Sequence, residues 1–217
     1  MIVDLNLQGK KVVVIGGGNE AIKRINALSK QGCEILVISG KPNSHIDKLA
    51  KSKKIKLERH DVRDDSFLSR CRPQMVITTT DNKKLNQRII DGAKKRKIIV
   101  YSSDNPEDSE FANPAVIDFE NVIQIAIFTG GRSPSMSKKL KAETEKILEK
   151  IITKKDIAQI KIQKIARDLA KEEISTQKKR KEYLRTILTD NKIEQLIKDG
   201  QLKKAERRAI TILRDWK

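Results

Sequence analysis

The chain has 217 residues, 37% of them hydrophobic but only 3% aromatic, and a formal charge of +18 at pH 7. That length can bury a core without disulfides, and Cys33 and Cys71 stand apart with no C-x-x-C spacing, which points to a reduced, cytoplasmic setting rather than a secreted disulfide scaffold. No apolar run approaches a membrane span, MIVDLNLQGKK has no signal-peptide h-region, and the positive charge attracts polyanions without naming one.

The first element is an apolar run, Lys11 to Ile15, that stops at Gly16-Gly17-Gly18 and continues into a helix over Asn19 to Lys30, with Ala21, Ile22, Ile25 and Leu28 on one face. A dinucleotide pyrophosphate site begins in this way. Gly16 allows the tight turn, Gly18 lets the backbone approach the phosphates, and Ala21 fills the small third position of G-x-G-x-x-G/A. The N–H groups of the first helical turn then face the anion.

Further strands are expected at Glu34 to Ile38, Ile55 to Glu58, Met75 to Thr79 and Ile98 to Ser102, with a helix over Asn82 to Lys95. Repeated β-α units imply an α/β fold with a parallel, helix-covered sheet and ligands at its carboxyl edge. The second strand ends in Ser39-Gly40-Lys41, where an acid usually holds the ribose. Ser39 and the Gly40 backbone can still bond a ribose, whereas Lys41 favours a 2′-phosphate, so spacing leaves NAD and NADP both open. Thr78-Thr79-Thr80-Asp81 ends the fourth strand beside the cofactor, but reads equally as a strand end with Asp81 capping the next helix. Asp104, at the end of the fifth strand, can accept a proton while a cofactor takes hydride. Position alone favours a plain Asp104-Asn105-Pro106 turn.

Ala115 to Phe119 and Val122 to Thr129 read as a hairpin joined at Glu120-Asn121, followed by a second glycine element, Thr129-Gly130-Gly131-Arg132-Ser133-Pro134. Ahead of a helix carrying Lys138, Lys139 and Lys141, that element suits carboxylates or phosphates, or is a simple hairpin exit. Beyond Pro134 the chain is helical, with stripes Ile147, Leu148, Ile151, Ile152 and Ile157, Ile160, Ile165, Leu169, a stop at Gly200 and a last helix ending near Trp216. The charge run Lys178 to Glu182 is read as a solvated face. His45 and His60 have no companions at ligand spacing, so no resident metal site is expected.

Four segments taken together resemble the precorrin-2 dehydrogenase family, which includes sirohydrochlorin ferrochelatases and the N-terminal part of sirohaem synthases. They are GGGNEAIKR at Gly16 to Arg24, TTTDNKKLN at Thr78 to Asn86, SSDNPEDSEFANPA at Ser102 to Ala115 and TGGRSPSMSKKLK at Thr129 to Lys141. The resemblance implies oxidation of precorrin-2 to sirohydrochlorin by NAD⁺, with ferrous iron inserted as a second substrate in some members. It implies a Rossmann-like domain over residues 1–113, a dimerisation region over 114–150 and a helical domain over 151–217, assembled as a homodimer.

Carried onto this sequence, the family's essential aspartate is Asp104. Its dinucleotide contacts fall on Asn19 and Glu20 after the glycines and on Ser39 to Lys41, with Thr80 and Asp81 beside them. Gly130, Gly131, Ser133, Lys138 and Lys141 would meet the substrate. Tyr101 and Phe128 depart from the family's Asn and Ser, and Lys138 and Lys141 replace arginines, keeping charge but losing bidentate geometry. A tetrapyrrole with many carboxylates would account for the basic charge with neither nucleic acid nor membrane as partner. The competing expectation is an NAD-sensing regulator whose basic helical tail grips nucleic acid or a protein; a dehydrogenase working beside a separate chelatase is the other.

Overall fold

The computed structural model describes residues 2–216, and the chain divides into two compact units, one up to Asn113 and one from Pro114 onward. The first holds β1 (Lys11–Ile15), α1 (Asn19–Leu28), β2 (Glu34–Ile38), α2 (Ser44–Lys51), β3 (Lys56–Glu58), α3 (Ser66–Cys71), β4 (Met75–Thr78), α4 (Lys83–Lys95) and β5 (Ile99–Ser102). All five strands are parallel, in the order β3-β2-β1-β4-β5.

The sheet forms because its strands are β-branched and covered on both faces, which is the environment of a parallel sheet. Along β1 the pleat alternates: Val12 and Val14 pack with Ala21, Ile25 and Leu28 of α1 and Ile46 of α2. Val13 and Ile15 pack with Phe67 and Leu68 of α3 and Ile89, Ile90 and Ala93 of α4. Strand order reverses between β1 and β4, so the crevice for a ligand opens outside their carboxyl ends.

Several boundaries differ from the sequence reading: β3 starts at Lys56 rather than Ile55, β4 stops at Thr78 rather than Thr79, and β5 starts at Ile99 rather than Ile98. Helix α1 ends at Leu28, where the Ser29 N–H closes onto the Ile25 carbonyl, and α4 begins at Lys83. Its cap is Asn82, not Asp81. Asn82 has the extended backbone of a capping residue, and its side chain accepts from the Leu85 N–H at 3.1 Å.

The second unit opens with the antiparallel hairpin β6 (Ala115–Phe119) and β7 (Ile123–Ile127). Three residues, Glu120 to Val122, connect the paired ends Phe119 and Ile123, so the second strand starts at Ile123 rather than at Val122; Glu120 and Asn121 take φ +54° and +55° at the centre of a turn that the Val122 N–H closes onto the Phe119 carbonyl at 3.0 Å. Helix α5 (Pro134–Ile151) packs along the hairpin and has no buried residue, and Ile147 and Ile151 are 60% and 63% exposed. A capping box at Thr153 and Asp156 starts α6 (Lys154–Glu173), followed by α7 (Gln177–Thr189), α8 (Asn191–Lys198) and α9 (Leu202–Arg214).

The α6 stripe is not the expected one. Of its four residues only Ile157 is buried; Leu169 is half-buried, and Ile160 and Ile165 face outward. The inward positions are Ala158, Ile162, Ala166 and Ala170, meeting Ala205, Ala209 and Leu213 of α9. Alanine lets the two helices approach closely, and that gain outweighs burying the larger isoleucines. The α7 residue Tyr183 is fully buried in this core and donates its hydroxyl to the Ala209 carbonyl at 3.0 Å, while burial pushes the phenol up to about 12. Among the described residues no helix is long and apolar enough to cross a membrane.

Candidate functional site

At the carboxyl edge, β1 runs out at Ile15 and Gly16 turns the chain at φ +115°, a conformation L side chains rarely adopt. Its N–H donates to the Ile38 carbonyl at 3.0 Å and fastens the loop to the end of β2. A Cβ at Gly16 would strike Thr79 Oγ1 and lie 3.0 Å from the Thr79 carbonyl oxygen. A Cβ at Gly17 would lie 2.5 Å from Ser39 Oγ and 2.7 Å from the Lys41 carbonyl oxygen. At Gly18 it would meet nothing within 4 Å.

The loop is therefore wedged against β2 and β4 on its inner side and open on its outer side, where no side chain caps the first turn of α1. Unobstructed N–H groups at a helix N-terminus fit the pyrophosphate of a dinucleotide. Asn19, the first residue of α1, is exposed beside them.

Glu20 also lies in that turn, where an unpaired carboxylate would repel a phosphate. Lys23 donates to it at 3.0 Å and Arg24 takes its other oxygen. Burial pushes Glu20 up, but the Lys23 hydrogen bond and the charges of Arg24 and Lys23 outweigh it and hold the group below the usual carboxylate range. Arg24 also donates to the Tyr101 hydroxyl at 3.0 Å and lies 4.7 Å above the ring, which packs on Phe111 at 5.2 Å. Tyr101, which departs from the family's Asn, is thus a buried brace from β5 to α1.

Thr80 and Asp81 follow β4. Thr80 Oγ1 donates to Asn86 Oδ1 at 2.6 Å and the Asn86 amide returns to the Thr80 carbonyl at 2.8 Å, so this hydroxyl's proton is committed to the loop's own scaffold. Asp81 is exposed at the tip.

The β4 and β5 ends carry a hydroxyl relay. Thr78 and Ser102 are paired in register and fully buried, with their hydroxyl oxygens 2.6 Å apart. Ser102 Oγ donates to Asp104 Oδ1 at 2.5 Å, which leaves Thr78 as the donor to Ser102. Asp104 itself is exposed. The turn expected at Asp104-Asn105-Pro106 forms further along: the Ser109 N–H closes onto the Pro106 carbonyl at 3.3 Å around Glu107 and Asp108, while Ser109 Oγ donates to the Asn105 carbonyl at 3.0 Å and the Asn105 amide donates to Asp108 at 2.6 Å. Asp104 precedes this turn, and its carboxylate bonds Ser102 instead.

Direct contacts therefore link Ser39, Gly17, Gly16 and Thr79 in one ledge, with Asp104 wired to it through Ser102 and Thr78 on β4. Arg24, Asn86 and Ser102 are the residues that sequence reasoning did not single out. Only for Ser102 was a signal present: hydroxyl residues ending two neighbouring strands. Among the described residues, no group of three or more His, Cys, Asp or Glu is placed to hold a metal ion.

The second glycine element is ordered within the second unit. Gly130 and Gly131 take φ +65° and +74°, and Ser133 caps α5 by accepting from the Met136 N–H at 3.2 Å. Thr129 Oγ1 lies 2.8 Å from Ser137 Oγ and bonds the Ser133 carbonyl at 3.2 Å, bracing the loop from behind. Gly130, Gly131 and Lys138 are exposed and Lys141 is half-buried on α5. The Arg132 and Ser133 N–H groups go to Thr129 and the Met136 N–H to Ser133, so it is the cations one and two turns on that suit an anionic ligand.

The chain is 29% identical over 144 residues to a protein of Nitrosococcus oceani named "Siroheme synthase", covering 66% of this chain and 30% of that protein. It thus spans about a third of the length of that relative. It is also 29% identical over 198 residues to a Methanocaldococcus jannaschii protein named "Putative precorrin-2 dehydrogenase", covering 89% of this chain and 92% of the other. A solved structure titled "SirC, precorrin-2 dehydrogenase" superposes with a TM-score of 0.69 at 21% identity over 96% of this chain and 99% of that one, which establishes the shared α/β fold. Residues 3–115, which contain the glycine loop, the hydroxyl relay and Asp104, match the family described as "Putative NAD(P)-binding", and the chain belongs to that NAD(P)-binding family.

Proposed function

We propose that the protein oxidises precorrin-2 to sirohydrochlorin with NAD⁺. One observation carries the reading: an exposed carboxylate, Asp104, is held by a buried hydroxyl relay at the edge where the glycine loop opens. The two named relatives add to it. The regulator alternative draws support from neither of them.

NAD⁺ supplies the hydride acceptor for the two-electron oxidation. The Gly16 to Gly18 loop and Asn19 would hold its pyrophosphate, with Glu20 kept harmless by Lys23 and Arg24. Ser39, Gly40 and Lys41 would border the ribose, and Thr80 and Asp81 the far wall. Asp104 would take the proton that leaves the macrocycle as hydride departs, its position fixed by Ser102. Gly130, Gly131, Ser133, Lys138 and Lys141 would grip substrate carboxylates. Ferrous iron, where the product is metallated, would be a second substrate at the same carboxylate.

For the whole chain we propose the residue 1–113 domain as coenzyme binder, 114–150 as the dimerisation region of a homodimer and 151–217 as the helical domain, in the cytoplasm. The exposed apolar row Met136, Leu140, Ile147 and Ile151 on α5 supports the homodimer.

The test mixes purified protein, NAD⁺ and freshly generated precorrin-2, follows absorbance to sirohydrochlorin, and then adds ferrous iron, for wild type and Asp104→Ala. Turnover in wild type with loss in the variant is expected. A variant as fast as wild type in both steps removes Asp104 from the reaction, and a wild type inert toward precorrin-2 overturns the substrate.

A further inference from the structure

We infer that Asp61, from the loop after β3, supplies the carboxylate for the adenosine ribose hydroxyls that the end of β2 lacks, and so sets a preference for NAD over NADP. The inference rests on the NAD(P)-binding reading above.

In dinucleotide-binding sheets an acid at the β2 tip, about 20 residues beyond the glycines, takes the ribose diol and repels a 2′-phosphate. Here the tip is Ser39-Gly40-Lys41, and Gly40 has no side chain to offer. The neighbouring strand replaces it. Ile38 is in register with Glu58, and the Ser39 N–H donates to the Glu58 carbonyl at 3.0 Å, so β3 ends beside the β2 tip and the chain runs on past the same edge. Three residues later, Asp61 folds its carboxylate onto Gly40. A Cβ built on Gly40 would collide with Asp61 Oδ1 and lie 2.7 Å from Cγ and 3.0 Å from Oδ2. The carboxylate fills the volume that the first side-chain atom of residue 40 would occupy, which is the origin of the missing acid. The adjacent Ser39 touches Gly17 across the ledge, so this carboxylate is one residue removed from the pyrophosphate loop.

The surrounding charges leave Asp61 available. Arg59 pairs with Asp47 at 2.8 Å, and Arg70 pairs with Glu58 at 2.6 Å. Among the described residues Asp61 enters no hydrogen bond or ion pair, and it is exposed. Lys41 pulls the other way, toward a 2′-phosphate. Its ammonium, however, ends a flexible four-carbon stem, whereas the Asp61 carboxylate is already set against the backbone.

Isothermal titration calorimetry of the full chain with NAD⁺ and with NADP⁺ tests this, on wild type, Asp61→Asn, Gly40→Ala and Lys41→Ala, with urea denaturation to confirm folding. Wild type should bind NAD⁺ more tightly. Losing a charged partner to the diol should weaken NAD⁺ by roughly 10- to 100-fold in Asp61→Asn and reduce or reverse the discrimination against NADP⁺. Gly40→Ala, which displaces the carboxylate without removing its charge, should shift both affinities the same way, and Lys41→Ala should weaken NADP⁺ more than NAD⁺. Unchanged affinities in a folded Asp61→Asn, or a wild type that prefers NADP⁺, overturn the inference alone. A wild type that binds neither nucleotide overturns the coenzyme reading with it.

Discussion

The two units are stabilised by cores of different composition. The sheet unit buries Val12, Val13, Val14 and Ile15 completely, and every strand residue from Met75 to Thr78 as well. The bundle buries Tyr183, Ile187 and Ile193 too, but joins α6 to α9 largely through Ala158, Ala166, Ala170, Ala205 and Ala209, and leaves Ile160 and Ile165 40% and 38% exposed. Where a core is made of large β-branched residues, hydrophobicity along the chain marks what is inside. Where it is made by close helix approach, the largest apolar residues need not mark it.

The largest expected effect lies on the sheet edge. Asp104→Asn should slow precorrin-2 oxidation by roughly 10²- to 10⁴-fold, as removal of a proton acceptor does, while the urea midpoint stays in place. Turnover that survives would leave the first unit with a coenzyme but no acid.

In the bundle the corresponding assault is steric. Ala166, 1% exposed, lies in the tight seam, and Ala166→Leu should cost about 1–3 kcal/mol by overpacking. Trp216, the chain's one tryptophan, lies 5.8 Å from the Tyr183 ring, so its fluorescence during urea unfolding reports the second unit. A wild-type midpoint in Ala166→Leu would show the seam to be loose.

Next comes Asp190, which caps α8 by accepting from the Ile193 N–H at 2.8 Å and pairs with Arg208 at 3.1 Å. Asp190→Ala should cost about 1–2 kcal/mol, the upper range of a lost cap, read by the same fluorescence. Burial pushes Asp190 up, but the Ile193 N–H and Arg208 outweigh it and leave the group below the usual carboxylate range. Its stabilisation is therefore full above the unfolded-state carboxylate pKa, near 4, and is lost as pH falls through the lower folded value. Urea midpoints measured downward from pH 6 should fall less steeply in Asp190→Ala than in wild type.

The smallest effect sharpens the contrast most. Ile160→Ala removes a larger side chain than any seam alanine, yet should cost no more than about 1 kcal/mol, because that residue is already 40% exposed. A loss of several kcal/mol would mean that this face is covered.

How far the sequence could be read follows the same division. The limits of β1 and β2 are those expected from unbroken β-branched runs that end at glycine or serine, and Glu120-Asn121 marked the hairpin turn because Asn tolerates positive φ. The α6 stripe marked Ile157 but not the seam, because a search for large apolar residues gives alanine little weight. The α4 cap was misplaced by one residue, between two neighbours with equal capping chemistry. At the candidate site, the residues at strand ends were visible because topology alone delivers them to the edge. Arg24 on Tyr101 and Asp61 on Gly40 were not, since each depends on partners 77 and 21 positions apart whose meeting only the folded chain reveals.

The alanine seam also bears on how such a chain diverges. A contact built largely on methyl groups constrains a few positions severely and leaves the outward surface of the same helices freer to drift. Lineages could therefore retain the helical architecture long after their residues there cease to align, while the glycine ledge, fixed by both backbone and ligand, keeps a recognisable spelling.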